Sequence, residues 1–293
     1  MEWTESLRRA INYMEAHLLD DINVEDVSKH IYMSPFYFQK GFKIMTGYSV
    51  GEYIRCRRLY LAALDVIAGR EKIIDLAYKY GYDTPESFTK AFGRFHGCPP
   101  MQLRGNTTRI KVFLPLKITI SIQGGNDMDY VVEKMDAMTV IGVERRFDYD
   151  NAYGLIPRFW DEFTEKYCGS KSDPAAKAVV IACGIGQFGI CFDDSGITDF
   201  KYVIAGRYDG GPIPEGMKTY EIPGGTWAKF KCCGPLPGSL QSVNTKIFKE
   251  WLPGNPEYEF TAGINIEWYS MDDCSSPDYE SQIWLPVSKK AQP

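Results

Sequence analysis

Lys40 and Lys90 stand 50 positions apart in matching surroundings, and the residues beside them could pair with a polyanion bearing flat, hydrogen-bonding rings. Gln39, Ser87 and Thr89 offer amide and hydroxyl groups suited to base edges, while Lys43 and Arg94 add cationic charge for phosphate. A second constellation has a different chemistry. Glu267 lies in the run Ile264-Asn265-Ile266-Glu267-Trp268-Tyr269, where a carboxylate must be paired, protonated or turned to a cavity. Tyr149, Tyr153, Tyr202, Trp227, Tyr269 and Trp284 supply aromatic faces that could flank a flat or cationic ligand, at about 0.5–2 kcal/mol per cation–π contact. For any one of these rings, filling the sheet–helix core is an equally good reading.

The first constellation needs two helices, and the sequence repeats the module that would supply them. Residues 24–48 and 73–98 align at a spacing of 50: Ser34-Pro35 with Thr84-Pro85, Phe38 with Phe88, Phe42 with Phe92, Gly47 with Gly97. Ser34 and Thr84 are expected to cap the second helix of each copy, with proline at the first helical position, where its missing N–H costs nothing. Helical spacing turns Phe38, Phe42 and Met45 inward in one copy and Phe88, Phe92 and Phe95 in the other. That leaves Phe36, Tyr37, Gln39, Lys40 and Lys43 outward in the first, and Glu86, Ser87, Thr89, Lys90 and Arg94 in the second. Between them Ser49 to Ala68 reads as one amphipathic helix, with Tyr53, Ile54, Leu59, Tyr60, Ala63, Leu64 and Ile67 on its apolar side. Its length would be ~30 Å, near the ~34 Å between major-groove faces on one side of B-DNA.

Residues 5–105 thus resemble the DNA-binding domain of the AraC/XylS family of transcription regulators. The resemblance rests on Ser34 to Lys43, Thr46-Gly47-Tyr48-Ser49, Tyr53-Ile54-Arg55, Ala77 to Gly81, Phe88 to Phe92 and Gly97-Cys98-Pro99-Pro100. It implies that Phe36, Gln39 and Lys40 meet bases or phosphates in one groove and Ser87, Thr89 and Lys90 in the next. Many members carry Arg where Lys40 and Lys90 stand. Lysine lacks the bidentate fork for guanine, so these two are expected to grip phosphate more than read sequence.

The charge is divided accordingly. The 293-residue chain carries a net −5, but residues 1–117 hold 17 basic against 13 acidic side chains (+4), and residues 118–293 hold 16 against 25 (−9). Salt-dependent DNA binding belongs to the first part. No apolar run reaches the ~18 residues of a membrane span, and the amphipathic N-terminus is unlike a signal peptide, so a cytoplasmic protein is expected. Eight scattered cysteines without a CxxC pair indicate reduced thiols.

After Gly105 the helical period stops, and Ile118, Ile120 and Ile122 alternate as in a strand before the turn Gly124-Gly125-Asn126-Asp127. Residues 106–127 are therefore read as a linker with strand character. Beyond it a second duplication appears. Asp129–Lys134 and Ala137–Arg146 parallel Met217–Ile222 and Gly225–Cys232, each followed by an apolar helix and two further strands. Two such β-α-β-β units make an antiparallel sheet with both helices on one face, leaving the opposite face for a concave site.

Residues 128–290 resemble the GyrI-like effector-binding domain of multidrug-sensing regulators. The matching runs include Val140-Ile141-Gly142-Val143, Gly189 to Asp193, Ile222 to Phe230 and Ser276 to Val287. The resemblance aligns Glu267 with the acidic residue at the pocket floor of many such domains.

An enzyme is the rival class. All three histidines (His17, His30, His96) precede residue 118, which removes histidine-based triads and histidine metal sites from the second part. A Glu267-centred GyrI-like small-molecule hydrolase, or a drug-sequestering protein using its aromatic partners, remains as the alternative.

The expectation is a multidomain α and α+β protein. An all-α tandem helix-turn-helix domain (1–105, units about 24–46 and 73–96) precedes an α+β effector domain (128–290). Its partners are double-stranded promoter DNA, a small lipophilic or cationic effector and RNA polymerase. No enzymatic activity, cofactor or metal is expected, and the family resemblance favours an activator.

Overall fold

Spacing and caps dictate the N-terminal helices, as a computed structural model shows for residues 3–104, 110–118, 128–148, 152–170, 172–193, 199–261 and 263–290. Helix α1 (Trp3–Ala16) buries Leu7, Ala10, Ile11 and Met14 along one stripe. Helix α2 (Val24–Ile31) starts in a reciprocal capping box: Asn23 Oδ1 accepts from the Asp26 N–H, and Asp26 Oδ2 accepts from the Asn23 N–H. Helix α3 (Pro35–Thr46) follows. Helix α4 (Val50–Ala68) opens with the Ser49–Glu52 capping box and ends where Gly69 takes the left-handed conformation (φ 66°). Helices α5 (Ile73–Lys79), α6 (Pro85–His96) and the short α7 (Pro100–Leu103) complete the region.

Contacts divide the chain into two compact units, Met1–Met33 with Thr46–Ile122, and Ser34–Met45 with Gln123–Pro293. In the first, Leu59, Ala62, Ala63 and Val66 of α4 form a core with Leu76, Phe88 and Phe92. The buried side of α4 runs through Ala62 and Val66, so Leu64 and Ile67, expected inward, remain 41% exposed each. Arg57 fastens α4 to α1 through two bonds to Glu15, Nε to Oε1 at 2.8 Å and Nη2 to Oε2 at 2.7 Å.

The second unit is built on a nine-stranded antiparallel sheet. Its elements are β1 (Tyr130–Met135), β2 (Met138–Asp148), α8 (Ala152–Phe163), α9 (Pro174–Cys183), β3 (Phe188–Phe192) and β4 (Asp199–Arg207). After these come β5 (Lys218–Ile222), β6 (Gly225–Cys233), α10 (Gly238–Lys246), β7 (Tyr258–Phe260), β8 (Ile264–Tyr269) and β9 (Glu280–Lys289). The order is β1-β6-β9-β8-β3-β4-β2-β5, with β7 beside β9. The expected strand at 118–122 and the turn at 124–127 lie outside the described residues except Ile118, which is in irregular chain.

That order forces the sheet to curl. Two residues separate β1 from β2, and two separate β5 from β6, although each pair joins strands near opposite ends of the sheet. The ends therefore meet, and a Cβ on Gly224 would approach the Ala137 nitrogen to 2.9 Å. Register sorts the side chains into two sets, since directly paired residues share a face. Val140, Ile190, Val203, Ile222, Trp227 and Ile266 fill the inside of the curl as one core. The outside carries the helices: the Phe159 ring of α8 lies 5.8 Å from Phe147, and the Trp251 ring, in the π-helical turn Ile247–Trp251 that continues α10, lies 5.0 Å from Phe230. Both helices do share one face, and the opposite face, expected to hold a concave site, carries this packed core.

Candidate functional site

Helix α6 presents its polar side as its sequence requires. Thr84 Oγ1 accepts from the Ser87 N–H at 3.1 Å, and Pro85 begins the helix. With Phe88 and Phe92 buried, Glu86, Ser87, Lys90 and Arg94 stand exposed and Thr89 half-buried. His96 locks the last turn to α4: its Nε2 lies 3.0 Å from the Leu59 carbonyl, and its Nδ1 accepts from the Lys111 N–H at 3.2 Å. Those partners fix a neutral ring with the proton on Nε2. Burial lowers its pKa.

Helix α3 has the same pattern and a different environment. Phe38 and Phe42 are buried, as their spacing requires, but Phe36, Tyr37 and Gln39, expected outward, are only 2%, 2% and 6% exposed. Lys40 and Lys43 are half-buried. The cover is the sheet of the second unit. Phe36 packs edge-on to Phe200 at 5.8 Å, Tyr37 stacks on Phe260 at 4.8 Å, and the Tyr37 hydroxyl donates to the Ile264 carbonyl at 2.6 Å. Burial first, then Cys191 and Asp193, push the Tyr37 phenol well above its usual range. The expected Ser34 cap is also corrected: the Ser34 hydroxyl donates to Asp193 Oδ2 at 2.6 Å, and the same oxygen accepts from the Phe36 N–H at 3.2 Å. A carboxylate 157 residues away thus caps α3, at the positive end of the helix.

Glu267 occupies the helix-bearing side of the sheet, at the seam between β8 and β3. Its Oε2 accepts from the Tyr269 hydroxyl at 2.8 Å and the Tyr202 hydroxyl at 3.2 Å, while Trp160 Nε1 donates to the Tyr202 oxygen at 3.1 Å. The Trp160 ring stands edge-on to Tyr269 at 5.4 Å. Burial, then the charge of Glu267, raise both phenols, which keeps them protonated as donors. Gly189, directly across from Glu267, makes the arrangement possible, because a Cβ there would overlap the Tyr202 hydroxyl. Among the described residues Glu267 has no ion-pair partner. A charge held by neutral donors inside an aromatic setting attracts a cation.

Tyr202 and Tyr269 are thus brought to Glu267, whereas Trp227 and Trp284 are not. Register puts both tryptophans inside the curl, where Trp227 is 1% exposed and Trp284 packs 5.8 Å from Phe188, with Lys229 4.0 Å from its ring. Tyr149 lies outside the described residues, and Tyr153 belongs to α8 with its side chain outside them. Sequence reasoning missed Trp160 and Gly189 as members of the site. The readable signal was register, since Gly189 falls opposite Glu267 once the two strands are paired. Among the described residues no cluster of His, Cys, Asp or Glu could hold a metal ion, and no helix is long and apolar enough to cross a membrane.

Two stretches of the chain match known families. The chain belongs to the family described as integron-associated effector binding proteins, matched over residues 131–287, and residues 27–106 form a helix-turn-helix domain of the AraC type. Regulatory protein SoxS of Salmonella typhimurium is 31% identical over 104 residues, spanning 36% of this chain and 97% of SoxS. The HTH-type transcriptional regulator YbfP of Bacillus subtilis is 35% identical over 100 residues, 34% of each chain, so this chain spans about a third of that relative's length. The structure of SAV2435 bound to tetraphenylphosphonium superposes with a TM-score of 0.45 and 16% identity, over 55% of this chain and 94% of that one.

Proposed function

We propose that this chain is a cytoplasmic transcription regulator, an activator that engages RNA polymerase, and that it is not an enzyme. Residues 1–105 bind double-stranded promoter DNA, 106–127 link, and 128–290 bind a lipophilic cation. The observation that carries the effector reading is Glu267, held by two protonated tyrosines and lacking a cationic partner among the described residues. DNA contact is assigned to Ser87, Thr89, Lys90 and Arg94 of α6 and to Phe36, Tyr37, Gln39, Lys40 and Lys43 of α3. The exposed cations of α6 favour phosphate contact, which makes affinity fall with salt.

Two measurements test this reading. Titration with tetraphenylphosphonium, followed by tryptophan fluorescence, should give saturable binding that Glu267→Gln weakens at least tenfold, while neutral triphenylphosphine oxide binds both forms alike. Equal loss for both compounds would reduce Glu267 to a shaping role. On DNA carrying the chain's own upstream region, Lys90→Ala should lower the salt slope by about 1. An unchanged slope would remove Lys90 from the interface.

A further inference from the structure

Resting on the assignment of α3 to DNA, we infer that the surface formed by Asp193, Phe200, Phe260 and Ile264 is a seat for α3 that withholds this helix from DNA. The contact is specific. One carboxylate receives both the Ser34 hydroxyl and the Phe36 N–H, a backbone carbonyl receives the Tyr37 hydroxyl, and two rings receive Phe36 and Tyr37. In α6, which shares with α3 its first proline, its two buried phenylalanines and its lysine, the corresponding positions Glu86 and Ser87 stand in solvent.

The seat is also built to release. Among the described residues, Gln39 Nε2, Asp193 Oδ1 and both amide atoms of Asn265 are buried without a hydrogen-bond partner. Gln39 belongs to α3 and Asp193 caps it, so both unmet groups would regain water or another partner once α3 left, which lowers the cost of undocking. Asn265 pairs with Cys191 and shares the Glu267 side of β8, about 6.6 Å along the strand. The row that holds the effector carboxylate therefore runs to the strand ends on which α3 sits. A ligand extending from Glu267 to Asn265 would meet that seat, and DNA and seat compete for one face of α3.

Amide hydrogen exchange on the full chain, without DNA, tests the seat directly. In the native chain the α3 amides should exchange slowly. Asp193→Ala should speed them at least tenfold with α6 unchanged, and Phe260→Ala, which removes the stacking partner and spares the cap, should act in the same direction. Native-like α3 protection in both variants would overturn the inference. On the upstream DNA, both variants should bind about tenfold more tightly than the native chain, within the usual range of intramolecular coupling. Freed α3 with no gain in affinity would overturn the withholding role. A chain with no specific DNA shift in any form, but with α3 freed by both substitutions, would support the seat and sink the assignment of DNA binding.

Discussion

Helices α3 and α6 are both twelve residues long, both begin with proline, and both bury two phenylalanines four residues apart. One shows its polar side to solvent and the other has it covered. α6 is capped by its own Thr84, whereas α3 is capped by Asp193, from far along the chain. Local sequence determines where such a helix starts and which face enters its core. It does not determine what the remaining face meets.

The largest test of this comparison concerns the faces that agree. Phe38→Ala and Phe88→Ala should each cost about 3–5 kcal/mol in urea unfolding, because both rings are fully buried. A large cost at only one position would show that the two cores are not equivalent. The caps should differ next. Ser34→Ala removes a hydroxyl donor from a carboxylate and should cost about 1.5–3 kcal/mol, whereas Thr84→Ala removes an ordinary cap and should cost about 1 kcal/mol. Reversal of that order would place the capping of α3 back within its own module.

The smallest effect separates the modules by pH. His96 is held neutral, with its pKa lowered by burial. As pH falls through the unfolded value near 6.5, the unfolded chain takes up a proton that the folded ring refuses. Stability of the first unit should therefore decline on acidification from pH 7 toward 5, and His96→Gln should flatten that part of the profile. The same slope in the variant would assign acid sensitivity elsewhere.

Much of this was legible from short-range pattern. The spacing of Phe88 and Phe92, the Thr84 cap and the extent of α4 follow from periodicity and end signals. Alternation around Ile266 and Trp268 put Glu267 on the other side of its strand, where it is found. What escaped depends on long-range closure. Trp227 and Trp284 cannot be assigned to a side until the register of β6 and β9 and the direction of curl are known. Phe36 and Tyr37 read as outward because the surface that covers them belongs to residues 193–264. Gly189 looks like one glycine among many until pairing sets it opposite Glu267.

The curl has a consequence for how the second unit can be made. Among the described residues, β1 belongs to the first half of the duplication but pairs only with β6 of the second, and β5 belongs to the second half but pairs only with β2 of the first. Each half lends the other its outermost strand, as two people link arms. Neither can complete its own sheet, so a chain severed between β4 and β5 should yield two fragments that fold together or not at all. The setting of the carboxylate at the β3–β8 seam exists only after both halves have met, so Glu267 held by its two tyrosines reports that the whole domain has been synthesised and closed.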